Sequence, residues 1–143
     1  MQVPQISVFL ENKVGRMADV TDVLAEHDIN IVALSVADTS DFGILRLIVD
    51  KPEHAYDALK KAGFTVMSNY VIAVEVSDVP GGLARILRIL ANAALNVEYM
   101  YAFVERKTGR AALIFRFDKE QEAVKALQAA GVNILKKIDV FKS

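Results

Sequence analysis

The chain has 143 residues, 53% of them hydrophobic, and 17 basic against 18 acidic residues give a formal net charge of −1. That composition excludes a disordered chain, and no apolar run reaches the roughly 18 residues of a membrane-spanning helix. Cysteine is absent, which excludes disulfides, thiolate metal sites and a cysteine nucleophile.

Met1-Gln2-Val3-Pro4 shows no basic stretch followed by an apolar one, so no secretory leader is read and a cytoplasmic location is expected. Residues 6–10 read as a short buried strand and residues 11–15 as a loop. A helix is predicted over 16–27, with Met17, Val20, Val23 and Leu24 as its apolar stripe. Asp28 and Asn30 end it. Residues 31–37 and 44–49 are β-branched strands joined by the polar loop Asp38-Thr39-Ser40-Asp41. Pro52 opens a second helix from its tolerated first-turn position, with Asp50 as its cap. Ala55, Ala58, Leu59 and Ala62 face inward and Gly63 stops the helix. Residues 64–67 form a last strand, and Ser68-Asn69 links it to the second half of the chain.

The second half repeats the pattern of the first. Shifted by 66, Ile6 falls on Ile72, Val8 on Val74, Gly15 on Gly81, Leu24 on Leu90 and Asn30 on Asn96. From Asp50 the shift is 68, and Asp50-Lys51 falls on Asp118-Lys119, Ala62-Gly63 on Ala130-Gly131. The expected fold class is therefore α+β: two ferredoxin-like β-α-β-β-α-β units, residues 1–69 and 70–143. Each has an antiparallel four-stranded sheet with both helices on one face, and the other face bare. Units of this size have marginal cores alone, so pairing edge to edge about a pseudo-two-fold axis, into eight strands, is expected. A ligand site is expected at or near that seam. The first half carries 10 acidic and 6 basic residues, the second 8 and 11. Halves of −4 and +3 suit mutual attraction.

The loops Asn12-Lys13-Val14-Gly15-Arg16-Met17 and Asp78-Val79-Pro80-Gly81-Gly82-Leu83 each join a first strand to a helix start. Free backbone N–H groups and the positive dipole end seat a carboxylate there. Glycine lets a small ligand approach the main chain. Asn12 and Asp78 are equivalent, and either receive an ammonium or cap the helix. The bland alternative is an ordinary helix-start turn, which duplication would also copy.

The pattern N-K-V-G-R-M-A…L…I-N-I and D-V-P-G-G-L-A…L…L-N-V resembles the signature of the ACT domain, twice over nearly the whole chain. The resemblance implies small βαββαβ modules that bind amino acids and regulate metabolic enzymes. It implies a free amino acid held between two paired units, against the first strand-to-helix loop of one and the second-strand start of the other. Carried onto this chain, those are Asn12, Lys13, Val14, Gly15, Arg16 and Met17 with Asp78, Val79, Pro80, Gly81, Gly82 and Leu83, then Asn30-Ile31 and Asn96-Val97. Val14 stands where the motif has proline, so the first loop is expected to be less preorganised, and Gly82 is expected to loosen the second. Residues 37–46 and 98–103 are similar to stand-alone tandem-ACT proteins, some of them related to acetolactate synthase regulatory subunits. Binding is expected to order the glycine loops and modulate a partner biosynthetic enzyme; a ligand-free structural or regulatory subunit of such an enzyme is the alternative. A homodimer through the sheet faces is a further expectation.

No cofactor, metal or catalytic residue is expected, and the protein is not read as an enzyme. His27 and His54 have no metal-ligand spacing to Asp or Glu. The acid pairs Asp19/Asp22 and Glu120/Glu122 fall on helix exteriors, and Ser35 and Ser77 have no base partner. Tyr99, Tyr101 and Phe103 alternate on one strand and could stack RNA bases, but residues 44–49 and 112–117 lack the basic, aromatic RNP1 pattern. Packing is the reading for those aromatics, with no nucleic acid and no membrane as partners. Arg46 and Arg116 read as marks of an exposed edge or a subunit contact.

Overall fold

A computed structural model describes residues 2–38, 41–104 and 110–136; Thr39, Ser40 and the side chain of Phe103 lie outside the described residues. Two compact units divide them: residues 4–69, and residue 70 onward together with residues 2 and 3.

The first unit runs β1 (Gln2–Glu11), α1 (Arg16–Glu26), β2 (Ile31–Asp38), β3 (Phe42–Val49), α2 (Pro52–Lys61) and the opening of β4 (Thr65–Ser77). β3 pairs antiparallel with β1 and with β2. Strand alternation decides the core. Ile6 lies opposite Leu47 and Val8 opposite Leu45, so these side chains share the face that meets Val20 and Leu24 of α1 and Ala55 and Leu59 of α2. Both helices therefore cover one face. Met17, the first residue of the expected stripe, is 52% exposed; the core begins one turn later, at Val20. Ala62 is likewise exposed, as the residue that caps α2.

The second unit repeats the plan with the rest of β4, then α3 (Gly82–Asn92), β5 (Val97–Val104), β6 (Arg110–Phe117), α4 (Glu120–Ala129) and β7 (Ile134–Leu135). β6 pairs antiparallel with β4 and β5, and β7 with β4. Its core substitutes position for position: Ile72 and Val74, Ile86 and Leu90, Leu113, Ala123 and Leu127. Phe115 and Phe117, with stacked rings 5.2 Å apart, replace Leu47 and Val49, while Val132 replaces Phe64. The added bulk on the strand is offset by the smaller residue after the helix, as dense packing requires.

Two expectations are corrected. Ser68-Asn69 is no linker: β4 is one uninterrupted strand of 13 residues. No glycine or proline lies between Gly63 and Pro80 to break it, so seven strands, not eight, are formed among the described residues. The face turned from the helices is not bare either, since Ile48, Ala73, Ala112 and Ile114 are fully buried. Among the described residues no helix is long and apolar enough to cross a membrane.

Candidate functional site

The two strand-to-helix loops make the same hydrogen bonds at the same offsets. In the first, the Lys13 amide donates to Glu11 O (2.8 Å), Arg16 to Lys13 O (3.4 Å) and Asp19 to Gly15 O (2.9 Å). In the second, Val79 donates to Ser77 O (2.9 Å), Gly82 to Val79 O (3.1 Å) and Arg85 to Gly81 O (3.0 Å). Gly15 (φ 87°, ψ −8°) and Gly81 (φ 88°, ψ −8°) both occupy the N-cap in the left-handed conformation, which a residue bearing Cβ adopts only at a cost. Val14 in place of proline thus leaves the first turn as well defined as the second. The glycine and its bonds set the turn, not the proline ring.

Neither helix has a side-chain cap, so Asn12 and Asp78 do not cap. The Asn12 amide instead donates to Asp41 O at 3.3 Å, and Asp78 makes no hydrogen bond or ion pair among the described residues. The amides of Met17 and Ala18, and of Leu83 and Ala84, have no backbone acceptor among the described residues. Exposed apolar side chains rim both openings: Val14, Met17, Val79 and Leu83. Gly82 does not loosen its loop. A Cβ there would lie 2.4 Å from Ser77 O and 3.2 Å from Val76 Cγ2, so the position is glycine because α3 starts hard against β4.

The side chains around the loops differ between the units. In the second, a crevice of about 410 Å³ lies on the β7 side of the loop, between Ser77, Gly81, Gly82, Arg85, Arg110 and Asn133. Arg110 forms an ion pair with Glu75 on its wall. Arg85 Nη2 donates to Ala130 O at 2.9 Å. In the first, a crevice of about 180 Å³ lies on the β2 side, between Asn12, Lys13, Arg16, Met17, Val36 and Asp38. Lys13 Nζ is 2.8 Å from Glu11, and Arg16 reaches Asp19 at 3.3 Å with its guanidinium 4.9 Å from the Phe64 ring centre. Arg16 Nε is buried without a partner among the described residues. The hydrogen bond and charge of Lys13 hold the exposed Glu11 carboxyl below its ordinary pKa. Sequence reasoning missed Glu75, Arg85 and Arg110. The signal was present as contrast, because the first unit has Phe9, Asp19 and Phe42 at those three positions. The register confirms the last equivalence, Glu11 opposite Phe42 and Ser77 opposite Arg110.

A family model described as an ACT domain pair matches residues 1–142. The chain belongs to that family. The crystal structure of protein BT0572 from Bacteroides thetaiotaomicron is similar to it with a TM-score of 0.93 and 39% identity, over 100% of this chain and 98% of that one. The ligand-free regulatory subunit of aspartate kinase from Thermus thermophilus shares the fold, with a TM-score of 0.64 and 18% identity over 89% of this chain and 91% of that one. The Thermus flavus regulatory subunit does so with a TM-score of 0.63, again at 18% identity and with the same coverage. No curated protein matches the chain.

In neither ACT unit do the second-strand residues reach that unit's own loop. Asn30 and Ile31 stand at the start of β2, where Ile31 lies opposite Val49, while the loop leaves the far end, where Glu11 meets Phe42 and Asp38 meets Gly43. Asn96 and Val97 are placed likewise, Val97 opposite Phe117. The asparagines hold a repeated clasp. Asp50 Oδ1 accepts the Asn30 amide (2.9 Å) while the Asp50 amide donates to Asn30 O (3.1 Å). Asp118 and Asn96 do the same at 3.1 and 3.3 Å. Asp50 is therefore not the cap of α2. Lys51 holds that position without a side-chain bond.

His27, His54 and Arg116 make contacts within the fold. Among the described residues no three metal-ligating side chains converge, and the rings of His27 and His54 meet edge to face at 5.3 Å. Arg116 donates to Tyr70 O at 2.9 Å and lies 3.7 Å from Glu98, which ties β6 to its neighbours.

Proposed function

We propose that this ACT domain pair is a non-catalytic, amino-acid-sensing regulatory protein of the cytoplasm, which modulates an amino-acid biosynthetic enzyme. Residues 1–69 and 70–143 are taken as its two ACT units. The observation that carries the reading is the matched pair of helix starts, each with a left-handed glycine in place of a capping side chain and two amides left open. A ligand carboxylate supplies the acceptors that a Ser or Asp cap would supply elsewhere. Asn12 and Asp78 then receive its ammonium, and Lys13, Val14, Arg16 and Met17, with Val79, Pro80, Gly82 and Leu83, frame its side chain. Asn30-Ile31 and Asn96-Val97 serve as the second-strand contacts that the family resemblance implies. The regulatory character is supported by the fold shared with chains described as aspartate kinase regulatory subunits.

A ligand of about ten heavy atoms at roughly 0.6 kcal/mol each gives about 6 kcal/mol, a Kd of tens of micromolar. At about 100 times Kd the ligand adds roughly 2.7 kcal/mol of stability. A thermal-shift screen of the twenty amino acids should raise Tm by several degrees for one or a few of them. A second reading, a ligand-free structural subunit, is favoured by one observation: Val14 stands fully in solvent and Val79 is 59% exposed, as residues awaiting a protein surface would be. Flat melts with all twenty amino acids would decide for it.

A further inference from the structure

Duplication supplies an internal control, because both units inherit the turn and the charges around it differ. At the three positions where the first unit has Phe9, Asp19 and Phe42, the second has Glu75, Arg85 and Arg110, and all three line its crevice. The formal charge of the trio passes from −1 to +1. A volume of about 410 Å³ falls within the range of small-molecule sites. Both guanidiniums have capacity to spare. Arg85 spends one Nη2 donor on Ala130 O, and Arg110 spends Nη1 on one oxygen of Glu75, out of five N–H donors each. Glu75, in turn, keeps an oxygen with which to accept from an ammonium.

We infer that the crevice of the second unit selects an acidic amino acid, its side-chain carboxylate taken by Arg85 and Arg110 and its α-carboxylate by the start of α3, with Glu75 joining Asp78 at the ammonium and no equivalent site in the first unit. The charges match, +1 against −1, and planar guanidinium forks suit carboxylates in a way that a lysine would not. This rests on the amino-acid-sensing reading and gives that reading a ligand class and a stoichiometry of one ligand per chain.

Calorimetry on the full chain at neutral pH tests it, with L-glutamate, L-aspartate, L-glutamine, L-leucine and succinate as titrants. Glutamate or aspartate should bind at one equivalent, with glutamine, leucine and succinate roughly tenfold or more weaker. Arg85→Met and Arg110→Met should each weaken the acidic ligand about tenfold to a hundredfold, and Glu75→Gln should bring its affinity close to that of succinate. Arg88→Met, which removes a charge from the same helix outside the crevice, should change nothing. Arg110→Met strips Glu75 of its partner, so Arg85→Met carries the test if the former does not fold. Tight binding of a neutral amino acid that ignores both arginines would overturn this inference and leave the sensor reading intact. Binding of succinate as strong as that of glutamate would overturn the role of Glu75 and the sensor reading with it. Silence from every titrant would overturn this inference and leave the sensor reading to the screen of all twenty amino acids.

Discussion

Replacing Gly82 by alanine should destabilise the protein more than replacing Gly81, although Gly81 has the positive φ. At Gly82 a Cβ would stand 2.4 Å from Ser77 O, where real Cβ contacts begin near 3.0 Å, so roughly 0.6 Å must be found. The obstacle is main chain. Ser77 lies opposite Arg110 in the β4–β6 ladder, and its carbonyl accepts the turn bond from Val79 at 2.9 Å. Overpacking of this kind costs about 1–3 kcal/mol, and weakening the turn bond adds about 1 kcal/mol. The better helix propensity of alanine offsets less than about 1 kcal/mol. The net is about 1–3 kcal/mol, or roughly 3–12 °C in Tm for a chain of this size. At Gly81 a Cβ meets nothing within 4 Å, and only the left-handed backbone resists, at about 1–2 kcal/mol. The smaller unfolded-state entropy of alanine reduces that to about 1 kcal/mol. Urea denaturation of both variants measures the difference. A Gly82→Ala variant as stable as Gly81→Ala would refute the view that α3 starts hard against β4.

Gly81→Val adds its side chain to open space in the path of a ligand, so it should abolish ligand-induced thermal shifts while the variant still melts cooperatively. Ala94 holds φ 57° where the first unit has Asp28 at φ 55°; Ala94→Gly should therefore stabilise by about 0.5–1 kcal/mol in denaturant titrations. Asp50→Ala leaves the Asn30 amide without its acceptor and should cost about 1–2 kcal/mol in the same assay, as should Asp118→Ala. Glu11 should titrate below the ordinary carboxylate range by NMR, and Lys13→Met should return it there, since the Lys13 hydrogen bond is the first cause of the lowering. The folded pKa is the depressed one. Any stability the pair contributes is thus present above the unfolded value and lost as pH falls through the folded value.

Periodicity and punctuation made most of the fold legible. Val20, Leu24, Ala55 and Leu59 occupy the core as their spacing requires, and Gly63 follows the last turn of α2. Met17 sits one turn before the core begins, because an apolar stripe does not reveal where the sheet stops covering it. The Ser68-Asn69 junction was misread because polar residues suggest a loop, although nothing there prevents an extended backbone from continuing. Asp50 precedes Pro52 as a cap would, yet its carboxylate goes to Asn30, a partner 20 residues away that local patterns do not show. At the candidate site the loops were legible from glycine placement, whereas Glu75, Arg85 and Arg110 came together only through strand register and helix position. Gly82 looked like flexibility. It is a close approach of α3 to β4, a steric fact that the sequence pattern does not carry.

The central claim is that the glycine-capped helix starts seat the carboxylate of a free amino acid. Amide chemical shifts of the full chain, followed while an amino acid that raises Tm is titrated in, test it most directly. Saturable shifts of the Gly81, Leu83 and Ala84 amides, or of Gly15, Met17 and Ala18, are predicted, with other helix starts unmoved. Saturation that moves residues elsewhere and leaves both sets of amides in place would contradict it.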